Sequence, residues 1–233
     1  MPDSPLILRS IRRPAFVRAA PFAAFMVVLA LRGFMPADGS IGIDTRWLYA
    51  LQVLLPAAML ALWWRDYGEL SAQTTPTLRE ALLAAAVGVL VFGLWINLDA
   101  PWMTLNAVDA SAYVPLTAAG TVDWPLVALR LAGATLLVPV MEELFWRSFL
   151  MRWLKQPIFE SVLPATVGLR AIVLSTFVFV LAHTLWLAAA IAGLAYALLY
   201  VRTGKLWTAV IAHALTNALL GVYVVATGAW QFW

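Results

Sequence analysis

The chain contains no cysteine. That absence excludes disulfides, thiolate metal sites and any cysteine nucleophile, including the kind a sortase-like transpeptidase needs. Charge is also scarce, at 12% of residues where soluble domains carry about 25%, and histidine occurs only twice. What fills the space is apolar: 64% of the 233 residues, with twelve tryptophans, a composition of the integral-membrane class. The net charge of +3 does not call for a nucleic-acid partner. Its basic residues sit in short segments between apolar runs, where the positive-inside rule already accounts for them. No internal repeat, low-complexity segment or soluble domain is evident.

A helix crossing a bilayer needs roughly 20 apolar residues. This criterion selects runs near 15–33, 46–64, 78–98, 124–149, 171–186, 187–201 and 206–226, the fifth and sixth abutting without a polar loop. The expected architecture is therefore all-α, a polytopic transmembrane bundle of about seven spans, with an eighth only if the C-terminal 226–233 were longer. The basic arm 1–13 is read as leading into a retained first helix, because no small-residue cleavage site follows it. Arg9, Arg12, Arg13, Arg65, Arg79, Arg152, Lys155, Arg170, Arg202 and Lys205 then share one side, which places the N-terminus in the cytoplasm and the C-terminus outside, in a multi-pass cell-membrane protein. The long outer loop carries Asp99, Asp109 and Asp123 and no Lys or Arg. Composition divides the chain near Asp123: residues 1–123 form a three-span scaffold with the outer loop, and 124–233 hold both histidines and the mid-span carboxylates. Asn97 near the end of the third span and Arg130 in the fourth have no assigned partner.

Ionisable residues inside a span are rare and mark function by default, which draws attention to Met141-Glu142-Glu143-Leu144-Phe145-Trp146-Arg147. Side chains three or four apart share a helix face, so Glu143 and Arg147 pair as a structural brace while Glu142 points about 100° away. A carboxylate left without a local counter-charge is the better chemical group, suited to general-base work. His183 and His213 both fall within spans. Phe179 stands four residues before His183, and Asn217 four after His213, so each imidazole has a neighbour on its own face. At about 1.5 Å per residue from the cytoplasmic ends, Glu142 lies roughly 15 Å deep, His183 about 20 Å, and His213 and Asn217 about 12 and 18 Å. Three helices are expected to bring them to one level.

The order Glu-Glu-x-x-x-Arg, Phe-x-x-x-His and His-x-x-x-Asn resembles the CAAX protease and bacteriocin-processing family of intramembrane proteases, over roughly 126–226. The stretch from Gly193 to Trp207 is similar to that family's linker between its second and third motifs. The resemblance implies an all-helical intramembrane endopeptidase acting on a membrane-associated protein or peptide. In it Glu142 activates a water with help from His183, His213 and Asn217 steady the tetrahedral oxyanion, and Glu143 with Arg147 holds the geometry. Trp95-Ile96-Asn97 and Pro101-Trp102 are similar to a bacterial branch that accompanies exosortase sorting systems, which implies a substrate for which prenylation is irrelevant.

Other functions use the same residues. Two histidines and a glutamate can hold zinc with an open position, but no His-Glu-x-x-His helix is present, and a mechanism without cofactor or metal ranks first. Buried Glu, His and Arg also build the relays of transporters and proton-linked channels. A non-catalytic scaffold or immunity factor would use the polar cluster only to bind a partner.

Overall fold

The computed structural model describes residues 5–35, 42, 44–105 and 112–233, with side chains from residue 13 onward. The side chains of Arg9 and Arg12, and all of Asp109, lie outside the described residues. Seven helices carry the chain: α1 (Pro5–Gly33), α2 (Leu48–Leu62), α3 (Leu78–Trp95), α4 (Trp124–Trp153), α5 (Leu169–Leu181), α6 (Trp186–Thr203) and α7 (Leu206–Thr227). Six are long and apolar enough to cross a membrane; α5, with 13 residues, is shorter. At 1.5 Å per residue α5 reaches about 20 Å, short of a hydrocarbon core of about 30 Å. The helix expected over 171–186 is shorter than expected, but the chain still reaches the far end of the bundle, where Thr184 O accepts from Leu105 N and Trp186 Nε1 donates to Trp102 O. The helix stops at Leu181, an irregular stretch carries His183, and α6 then runs to Thr203. Among the described residues the only β pairing is the isolated bridge between Leu116 and Val122.

The helix ends follow from local chemistry. Thr77 and Glu80 form a reciprocal capping box at the start of α3, and Asp123 caps α4 by accepting from the Leu126 N–H. Gly204 and Gly228 end α6 and α7 in the left-handed region that favours glycine. Asn97, unplaced in the sequence, donates to Gly93 O and closes the last turn of α3 at 2.7 Å. Pro21 leaves the carbonyl of Val17 without its helical donor; the buried Tyr67 hydroxyl supplies one at 2.9 Å.

The outward faces of these helices carry exposed Leu54, Leu82, Leu136, Phe177 and Val222, as lipid contact requires. Inside, α3 lies along α7 and α5 along α6. The first contact depends on Gly88: a Cβ there would stand 2.6 Å from Ala212 O, and its own carbonyl accepts from Thr216 Oγ1. Polar clamps join the segments at the end of the bundle where α1 and α3 begin. Arg18 and Glu69 pair at 2.7 Å, with Ser148 hydrogen-bonded to the same carboxylate, and Lys205 pairs with Glu80 at 2.8 Å.

Candidate active site

α4 is irregular where its carboxylates lie. Two π-helical segments, Gly133–Leu137 and Leu144–Leu150, flank the α-helical stretch from Val138 to Glu143. Pro139 explains the first. With no N–H to donate and a ring that clashes one turn back, it breaks regular pairing, and a π-turn absorbs the mismatch. Val138 N then donates to Gly133 O. In that register the donor for Ala134 O would be Pro139, which has none. Asn217, from α7, fills the gap through its side-chain amide at 2.9 Å.

Glu143 is fully buried, at 0% exposure. One of its oxygens accepts from both Arg147 Nη1 at 3.0 Å and His213 Nδ1 at 2.9 Å. The brace expected from spacing is present, but it extends to a third residue on a different helix. Arg147 also donates to Gly193 O and stands over the rings of Phe179 at 4.8 Å and Tyr196 at 5.5 Å. Tyr196 in turn stacks on His213, with ring centroids 5.2 Å apart. These contacts fix the imidazole: Glu143 accepts at Nδ1, so the neutral ring carries its proton there and presents an unprotonated Nε2.

Glu142 is 8% exposed and accepts from Trp146 Nε1 at 3.2 Å, again four residues along the helix. Its other oxygen has no protein donor among the described residues. Trp146 packs edge-on against Phe179, the Phe179 and His183 ring centroids are 4.2 Å apart, and Trp95 stands edge-on to His183 at 5.9 Å. His183 Nδ1 meets Phe179 O at 2.8 Å. A carbonyl only accepts, so this ring too holds its proton at Nδ1 and leaves Nε2 as an acceptor. Glu142, His213 and Arg147 are all near enough to act electrostatically on His183.

The structure thus gathers Glu142, Glu143, Arg147, Phe179, His183 and His213 around one aromatic-walled centre, with Asn217 one turn beyond His213 and tied to α4. No direct hydrogen bond joins Glu142 to either histidine, and among the described residues no three His, Asp or Glu groups gather as metal ligands. Sequence reasoning did not single out Trp146 or Tyr196 for the site. Trp146 was accessible through its spacing from Glu142. Tyr196 had no local signal, because its partners lie on other helices.

No curated protein and no solved structure matches the chain. A protein-family profile does match, over residues 124–219, and that range contains every residue of the centre except Trp95. By this match the stretch that builds the site is similar to the Type II CAAX prenyl endopeptidase Rce1-like family.

Proposed function

We propose that this protein is an intramembrane endopeptidase that hydrolyses a peptide bond of a membrane-associated protein or peptide, with Glu142 as the base that activates water. The observation that carries the reading is the coincidence of the Rce1-like stretch with a buried centre of two glutamates and two imidazoles of fixed tautomer. The Glu142 oxygen not bonded to Trp146 takes a proton from water as the water oxygen bonds to the scissile carbonyl carbon. His183 Nε2 accepts a hydrogen bond from the hydrogen that the water keeps, and so orients the attack. The carbonyl electron pair moves onto its oxygen. The C–N bond then breaks, and the proton held by Glu142 passes to the departing nitrogen.

Donors aimed at the developing oxyanion supply a large share of rate enhancement in a dry site. Asn217 spends one amide N–H on Ala134 O and has a second to give. His213 donates from Nε2 only when doubly protonated, with the Glu143 carboxylate facing the added charge. In this reading the N-terminus lies in the cytoplasm and the C-terminus outside, the orientation that the positive-inside rule favours.

The test is cleavage of a membrane-tethered peptide reporter by the purified chain in lipid. Glu142→Gln abolishes cleavage while the melting curve stays that of a folded protein; cleavage retained by this variant would remove Glu142 from the reaction.

A further inference from the structure

Two arginines remain outside the centre described above. Arg32 is the penultimate residue of α1 and Arg130 lies in the second turn of α4, at the end of the bundle where α1 stops and α2 and α4 begin. Both guanidinium groups stand over the same two rings. Arg32 is 5.7 Å from the centroids of Tyr49 and of Tyr113; Arg130 is 4.7 and 5.5 Å from them. Tyr49 is fully buried on α2, and Tyr113 is 6% exposed and held by its N–H to Trp233 O.

The three buried arginines among the described residues are compensated. Arg18 has Glu69, Arg147 has Glu143, and Arg152 has Phe159 O and Tyr200. Among the described residues no carboxylate pairs with Arg32 or Arg130. Instead the neighbourhood holds surplus donors. Arg32 Nη1 binds Gln52 Oε1 at 2.6 Å, which consumes the amide's acceptor, and the Gln52 Nε2 group, at 0% exposure, has no partner. Arg32 Nε, Arg130 Nε and the Tyr113 hydroxyl are likewise buried without partners among the described residues. Ring faces attract cations, but they do not satisfy N–H groups, and two like charges over one pair of rings repel.

Two planar forks, an amide and a phenol gathered with no carboxylate among the described residues are the complement of a tetrahedral oxyanion. The depth fits as well. Phe34, Trp47 and Trp124 are exposed at this same end, as aromatic residues are at the bilayer interface, the level of lipid phosphates. We propose that Arg32, Arg130, Gln52 and Tyr113 form a binding site for a phosphate group, supplied by the headgroup of an anionic phospholipid or by free phosphate. The site is separate from the glutamate–histidine centre and does not depend on the proposed hydrolysis.

Native mass spectrometry of the full chain in detergent, after addition of phosphatidylglycerol or of inorganic phosphate, tests this. The unaltered chain retains a stoichiometric ligand. Arg130→Gln weakens retention roughly tenfold or more and Tyr113→Phe a few-fold, as loss of charged and neutral hydrogen bonds predicts. Retained phosphatidylglycerol assigns a lipid headgroup; retained inorganic phosphate without lipid assigns the free ion. A second measurement guards against misfolding. Without ligand, Arg130→Gln melts no lower than the unaltered chain, because it relieves repulsion, and it loses the ligand-induced rise that the unaltered chain shows. Equal retention by the unaltered chain and an Arg32→Gln, Arg130→Gln double variant would overturn the proposal. So would a ligand-free Arg130→Gln chain that melts well below the unaltered one.

Discussion

Replacing Glu143 with glutamine tests whether this carboxylate is the electrostatic keystone of the bundle. The residue is fully buried, and its charge serves Arg147 at 3.0 Å and His213 at 2.9 Å through a single oxygen. Removing one partner of a buried ion pair costs about 3–5 kcal/mol, mostly through the charge left behind. Here the charge left behind is Arg147, 2% exposed. Arg147 retains Gly193 O, the rings of Phe179 and Tyr196, and the neutral amide oxygen of the new glutamine, so the lower end of the range applies, about 3 kcal/mol. For a chain of this size each kcal/mol moves the midpoint by about 2–4 °C, which gives a fall of about 6–12 °C. Arg147→Gln should be milder, because Glu143 keeps the donor of His213 Nδ1 at 2.9 Å. Thermal melts in detergent, followed by fluorescence of the twelve tryptophans, measure both. A Glu143→Gln midpoint within 2 °C of the unaltered chain, or an Arg147→Gln fall as large, would refute the reasoning.

Burial works against ionisation of Glu69, but Arg18 and Ser148 outweigh it and hold this carboxyl below its ordinary value. A depressed folded-state value means stability that is present above the unfolded value, about pH 4.3, and is lost as pH falls through the folded one. Glu69→Gln should therefore flatten the stability curve below about pH 4; an unchanged acid slope counts against the Arg18 clamp. Gly88→Ala should cost about 1–3 kcal/mol, since its Cβ meets the Ala212 carbonyl at 2.6 Å. Gly93→Ala on the same helix meets nothing within 4 Å and should be neutral or stabilising by up to about 1 kcal/mol; equal melting of the two variants would contradict the packing account. Reporter cleavage is expected to survive exhaustive chelation, and loss of activity that returns with zinc would reassign water activation to a metal.

Much of this architecture could be read from period and hydropathy. Spacing alone predicted the Glu143–Arg147 contact, because a helix determines its own neighbours. The two histidines stood out because polar groups in apolar runs are few. The break after Leu181 was hidden: 182–185 are too short and too mixed to interrupt a hydropathy window, so α5 reads as longer than it is. The second partner of Glu143 was equally hidden, since contact between Glu143 and His213 depends on how α4 and α7 rotate against each other. That rotation is influenced by the π-turns, which leave no simple residue pattern beyond Pro139. Arg130 looked solitary in the sequence for the same reason: Tyr49 and Tyr113 reach it from distant segments.

The π-turn at Gly133–Leu137 has a further consequence. In a medium without water, a carbonyl released from its helix must find a side chain, so each defect in a helix recruits a polar group to a fixed address. Asn217 answers Ala134 O at the π-turn and Tyr67 answers Val17 O below Pro21, while His183 joins the Ala182 N–H on Phe179 O where α5 ends. Two of these three are residues of the candidate active site. Their positions are thus set by imperfections in the backbone, and a variant that regularised α4, for instance by replacing Pro139, would strengthen the helix while setting Asn217 adrift.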